Sequence, residues 1–120
     1  MEEPITKYPR RKEEHIVMNL TEQKRRNDAF HEMEQRFKDK YFVKQFGNNM
    51  CFLAPNGLIF RLIEFPGEAA LVIEYAETPN EAERSLFEDG ERFYLSDLSG
   101  DALFRAMTAE IESNLPCTRQ

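Results

Sequence analysis

Two cysteines, two histidines and five glycines are too few to support several common chemistries. Cys51 and Cys117 lie far apart and no C-x-x-C occurs, so the sequence predicts neither a disulfide framework nor a zinc or redox motif. Reduced thiols are expected, which fits a cytoplasmic location. His15 and His31 fall in different predicted elements. His31-Glu32-Met33-Glu34 opens like a metalloprotease helix motif, but Gln35 stands where the second histidine belongs. Gly47, Gly57, Gly67, Gly90 and Gly100 are isolated, and none belongs to a phosphate-cradling G-x-G-x-x-G or G-x-x-x-x-G-K-[ST]. No G-x-S-x-G surrounds Ser85, Ser96, Ser99 or Ser113, and Cys51 has no sequence-near group to lower its pKa. Apolar runs fall far short of the roughly 20 residues that cross a bilayer. None follows Met1-Glu2-Glu3-Pro4 as a secretory leader would require, so no export is expected. The Asn19-Leu20-Thr21 sequon is accordingly read as a helix start, with Thr21 as its cap. The sequence assigns no catalytic residue, metal or cofactor.

What is present describes one domain. The chain has 120 residues, 41% of them hydrophobic, with ten Phe and four Tyr, enough for a core without staples. Charge is uneven. Residues 1–46 hold eleven Lys or Arg against nine Asp or Glu, whereas residues 64–101 hold eleven acids against Arg84 and Arg92. No lysine follows Lys44. Such a one-sided field favours basic partners.

Residues 1–18 read as a mobile or loosely docked N-terminal arm, 19–116 as a single α+β domain, and 117–120 as a C-terminal tail. Phe30, Met33, Phe37 and Tyr41 recur at helical spacing and predict an amphipathic helix to about Lys40. Thereafter turn residues divide a Phe-, Val- and Ile-rich stretch into strands 41–46, 50–54, 58–64 and 70–76. Their short connections predict an antiparallel meander. Thr78-Pro79-Asn80-Glu81 is a capping box with Pro at the first helical position, and Gly90 is placed to end that helix. Phe93-Tyr94-Leu95 suggests a brief extended segment. Ser99 then caps a helix carrying Leu103, Met107, Ile111 and Leu115, which Pro116 ends. The predicted architecture is a four-stranded antiparallel meander packed on an N-terminal and a C-terminal helix, in the order α-β-β-β-β-α-(β)-α.

Turn chemistry extends the reading to register. Ala54-Pro55-Asn56-Gly57 suits a type I turn with a glycine bulge, which pairs Phe60 with Phe52. Closing the next hairpin tightly at Pro66-Gly67 pairs Leu62 with Leu71 and Phe60 with Ile73. Met50, Phe52, Leu58, Phe60, Leu62, Leu71, Ile73 and Tyr75 then share one face, the expected core face. The opposite face carries Cys51, Leu53, Ile59, Arg61, Ile63, Ala70, Val72 and Glu74, with Arg61 and Glu74 as diagonal neighbours. It is too apolar to stand fully in water, so a helix or a partner should cover it.

Three functional readings follow. The first is a protein-binding module of inhibitor, immunity or chaperone type, engaging a basic protein through a carboxylate-rich surface. Glu81, Glu88, Asp89 and Glu91 would steer the encounter. Leu53, Ile59 and Ile63 would supply apolar burial against a partner or in a homodimer formed through the second sheet face. The second is a small carboxylate- or metal-dependent hydrolase using the same acids. The third is a nucleic-acid accessory protein using Arg10-Arg11-Lys12 and Lys24-Arg25-Arg26, which Glu13, Glu14, Glu22 and Asp28 oppose. No membrane partner is expected. In layout, an acidic α+β chain with an N-terminal helix and a meander resembles type III secretion chaperones. The segment between strand 70–76 and the last helix is short for that family's further strands.

Overall fold

The computed structural model describes residues 19–55 and 57–114. The expected arm 1–18, the helix end at Leu115-Pro116 and the tail 117–120 lie outside the described residues. The first helix, α1 (Leu20–Lys40), starts two residues earlier than expected. Asn19 Oδ1 accepts the Glu22 N–H at 2.7 Å, so Asn19 is the N-cap and Thr21 belongs to the first turn. Met33 and Phe37 are fully buried on its inner stripe, with Phe30 packed beside them.

Five strands follow: β1 (Phe42–Phe46), β2 (Asn49–Leu53), β3 (Ile59–Glu64), β4 (Ala70–Ala76) and β5 (Glu88–Tyr94). Their spatial order is β1-β2-β3-β4-β5 and every pairing is antiparallel. A short helix, α2 (Pro79–Glu83), links β4 to β5, and α3 (Gly100–Ser113) closes the described chain. The fold is therefore α+β in the expected element order. The brief segment expected near Phe93 is a full fifth strand.

The β2–β3 turn has the expected chemistry. Gly57 N–H donates to Ala54 O at 2.9 Å, Gly57 takes φ +97°, and Phe52 faces Phe60. The β3–β4 register is two residues away from the tight hairpin at Pro66-Gly67. Leu62 pairs with Ile73 and Phe60 with Tyr75, and Phe65 N–H closes the loop on Ala70 O at 2.9 Å. The cause lies in α1. Arg26 donates to Glu64 Oε1 at 2.9 Å, to Phe65 O at 2.5 Å and to Glu68 O at 3.2 Å, which holds the loop open. Because the shift is even, every side chain keeps its face. It also makes Arg61 and Glu74 direct rather than diagonal partners.

The expected core face is the core. Phe37 sits at its centre with Tyr41, Phe52, Phe60 and Phe104 rings at 5.5–5.9 Å. Leu103, Met107 and Ile111 of α3 complete it, all within 1% of full burial. Burying an aromatic of this size contributes about 1.5–3 kcal/mol.

The second helix ends far earlier than Gly90. Ser85 adopts φ 60°, its N–H donates to Ala82 O at 3.2 Å, and Leu86 N–H reaches Glu81 O at 2.8 Å. That pair of bonds is a Schellman ending with a serine in the left-handed position where glycine is usual. Asn49 supports it from β2, its Nδ2 donating to Ala82 O and Ser85 Oγ, both at 2.9 Å. Gly90 instead lies within β5. Val72 pairs with Arg92 and Glu74 with Asp89, so Gly90 and Glu91 together oppose Ile73 in a bulge. A Cβ at Gly90 would lie 2.5 Å from Ile73 O and 2.6 Å from Tyr75 Cε2, so this close approach needs glycine.

Candidate protein-interaction surface

The outer face of the sheet is divided in two. Over β1–β3 a second cluster forms from Phe46, Cys51, Ile59, Ala76 and Ala82, with Leu53 and Phe87 packed on it. The apolar outer face expected to need a cover is thus partly covered by α2. Cys51 is fully buried there, and burial raises its thiol pKa against the lowering influence of Arg61. Ile59 is 3% exposed, and Leu53 is half-buried at the cluster's margin. Ile63 lies on the other half, in a concavity shared with Phe65, Val72, Arg92 and Tyr94. The three apolar site residues therefore occupy two separate patches. Further from α2, Phe42 (76% exposed) stands on β1.

A polar relay joins the halves. Arg61 donates to Glu74 Oε1 at 2.8 Å and to Asn49 Oδ1 at 2.5 Å, and its guanidinium stacks 3.9 Å from the Phe87 ring centre. Burial lifts the Glu74 carboxyl above the usual carboxylate range; the Arg61 hydrogen bond opposes this and Asp89 adds to it. Asp89 is the cross-strand partner of Glu74, which places two carboxyls side by side on the outer face of the sheet.

The carboxylates converge on the flank where β5 meets α3. Glu77, Glu88, Asp89 and Glu110 line one concavity of about 650 Å³, with Tyr75 and Asn114 at its wall. Tyr75 Oη donates to Glu110 Oε2 at 3.1 Å, and Asn114 Nδ2 reaches the same oxygen at 3.3 Å. Burial foremost, and then Glu110, raise the Tyr75 hydroxyl pKa, so it stays a proton donor at neutral pH. Among the described residues no lysine or arginine lines this concavity. Other acids of the segment are already matched: Glu64 with Arg26 at 2.9 Å, Glu74 with Arg61 at 2.7 Å and Asp101 with Arg36 at 2.8 Å.

The expected steering residues separate accordingly. Glu88 faces the concavity; Asp89 borders it but turns its carboxyl to the outer face beside Glu74, and Glu91 follows them along β5. Glu81 is spent locally, its Oε1 accepting the Glu77 N–H at 3.1 Å while Thr78 Oγ1 accepts the Glu81 N–H at 3.1 Å. Glu110 escaped the sequence reading because it lies off the α3 core stripe and meets Tyr75 across 35 residues. Of the basic clusters, Arg10-Arg11-Lys12 lies outside the described residues. Lys24 pairs with Asp28 at 2.9 Å, and Arg26 is committed to the β3–β4 loop. Among the described residues no three His, Cys, Asp or Glu side chains are grouped to hold a metal ion, and no helix is long and apolar enough to cross a membrane. No protein-family model, curated protein or solved structure matches this chain.

Proposed function

We propose that this protein is a binding module that captures a basic protein partner on the carboxylate flank formed by β5 and α3. The observation that supports this is the gathering of Glu77, Glu88 and Glu110 around one concavity without a basic residue among its described lining, with Asp89 beside it on the outer face. Like charges held together cost free energy unless a cation arrives, so the arrangement favours lysine and arginine side chains. Two exposed charges 4 Å apart interact by about 1 kcal/mol in bulk water and by more where the surface is concave, so several acids together dominate the encounter.

The test is capture from cell extract at low salt by the full chain and by its E88Q/D89N double variant. A basic protein retained by the native chain and lost by the double variant is the expected result. Equal recovery of the same proteins by both chains would remove the reading. A small hydrolase is the second reading, favoured by the raised Glu74 carboxyl beside Asp89, since such split pairs can serve as acid and base. Turnover of a substrate by the native chain that disappears in D89N would support it over the first.

A further inference from the structure

We propose that the partner supplies an extended basic segment that adds to the free edge of β5 as a sixth strand, lying in the groove between β5 and α3. This deepens the binding function proposed above and rests on it. Among the described residues the five-stranded sheet has two open edges, β1 and β5, and they differ in charge. Phe42-Val43-Lys44-Gln45-Phe46 carries one lysine and no acid, whereas Glu88-Asp89-Gly90-Glu91-Arg92-Phe93-Tyr94 carries three acids and one arginine. A basic strand is attracted to the second edge and not to the first.

The backbone of β5 is open for such a ladder. Leu95 N–H donates to Ala69 O at 3.0 Å in the register that pairs Ala70 with Tyr94, Leu71 with Phe93 and Val72 with Arg92. Antiparallel pairs alternate between bonded and non-bonded positions, so Phe93 turns its N–H and C=O toward β4 while Arg92 and Tyr94 turn theirs away. The Tyr94 carbonyl accepts from Asp97 and Leu98, which leaves the Arg92 N–H and C=O and the Tyr94 N–H without a backbone partner among the described residues. Unpaired edge groups of this kind are what an incoming strand recognises.

The edge also has a wall. A groove of about 620 Å³ runs beside it, with Glu91–Tyr94 on one side and Ala106, Ala109, Glu110 and Ser113 of α3 on the other. Those four helical positions share one face, and two of them are alanine, so the wall is low enough to admit a strand. Glu110 borders both this groove and the carboxylate concavity, which makes the two continuous along β5. Five carboxylates border the combined channel (Glu77, Glu88, Glu91, Asp97 and Glu110), against Arg92 alone, and Asp89 adds its charge from the outer face. Side chains of an added strand alternate, so small or β-branched residues would face the alanines while lysines or arginines meet the acids.

The probe is a synthetic peptide of alternating lysine and valine, offered to the isotope-labelled full chain at low salt. Binding should slow hydrogen exchange at the Arg92 and Tyr94 amides by about tenfold or more, with the β1 amides unaffected. Two peptides N-methylated on opposite edges keep the charge but each remove one row of donors. One of them should bind about tenfold more weakly than the other, a ratio equal to roughly 1.4 kcal/mol. E91K should weaken the parent peptide by a similar factor, and K44E on the other edge should not. Equal binding by both methylated peptides, or protection at β1, would overturn strand addition while leaving charge-driven capture standing. No binding of the parent peptide would overturn both. Tighter binding by the full chain carrying R10Q, R11Q and K12Q would make the chain's own arm the occupant and overturn the assignment to a partner.

Discussion

Glu74 shows how one side chain answers to burial and to two neighbours. Its carboxylate takes two bonds from Arg61, yet burial and Asp89 together hold its pKa above the ordinary value near 4.5. Because the folded chain holds that proton more tightly than the unfolded chain, the site's contribution is complete below about pH 4.5. It is lost as pH rises through the folded value. The native chain should therefore lose stability relative to E74Q as pH is raised from 4.5 toward neutrality, in denaturant melts run at each pH. D89N should lower the Glu74 value read from its carboxyl carbon shift, while burial keeps it from returning to the ordinary one. An unmoved Glu74 in D89N would mean that the two carboxyls do not sense one another. Tyr41 is a second residue of this kind: burial, then Glu112, push its hydroxyl up to about 12, and that hydroxyl has no hydrogen-bond partner among the described residues. Its aromatic contacts with Phe37 and Phe60 are what hold it in the core.

Among the elements, β5 is the one whose geometry rests on a single position. Gly90 brings the bulge within contact of Ile73 O and the Tyr75 ring, where no side chain fits. G90A should cost about 1–3 kcal/mol in urea unfolding, because the added methyl overfills a packed site. It should also speed amide exchange along β5 more than along β2 or β3. Uniform exchange across the sheet would show that β5 is not loosened separately. The β-meander was legible because Pro55-Asn56-Gly57 and the alternation through Phe52, Phe60, Leu62 and Ile73 are local signals, and the core face follows from them. β5 was not. The helix before it stops through a left-handed serine held by Asn49, 36 residues away, and no glycine marks the spot. The strand itself begins Glu-Asp-Gly-Glu, which reads as the end of a helix when taken alone. The β3–β4 register was hidden for a similar reason, since the loop is set by Arg26 in α1 rather than by Pro66-Gly67. The grouping of Glu88 with Glu110 needed the same missing information, namely where β5 lies against α3.

At the scale of the molecule, the charge asymmetry of the sequence becomes a difference between two edges of one sheet. Long-range attraction of this kind acts on association and fades with salt, since the screening length falls from about 10 Å at 0.1 M to about 3 Å at 1 M. The association rate of the native chain with a captured basic partner should therefore drop steeply across that range, while its dissociation rate changes much less. Stopped-flow mixing measures both, and a salt-independent association rate would leave the carboxylates without a steering role. The sequential order of the strands has one more consequence. Each strand lies beside its neighbour in the chain, so no pairing waits on a distant segment and the sheet can zip together hairpin by hairpin. Among the described residues the outermost strand at either end is then held from one side only, and a ligand gripping β5 from without would act as a clasp against its peeling away.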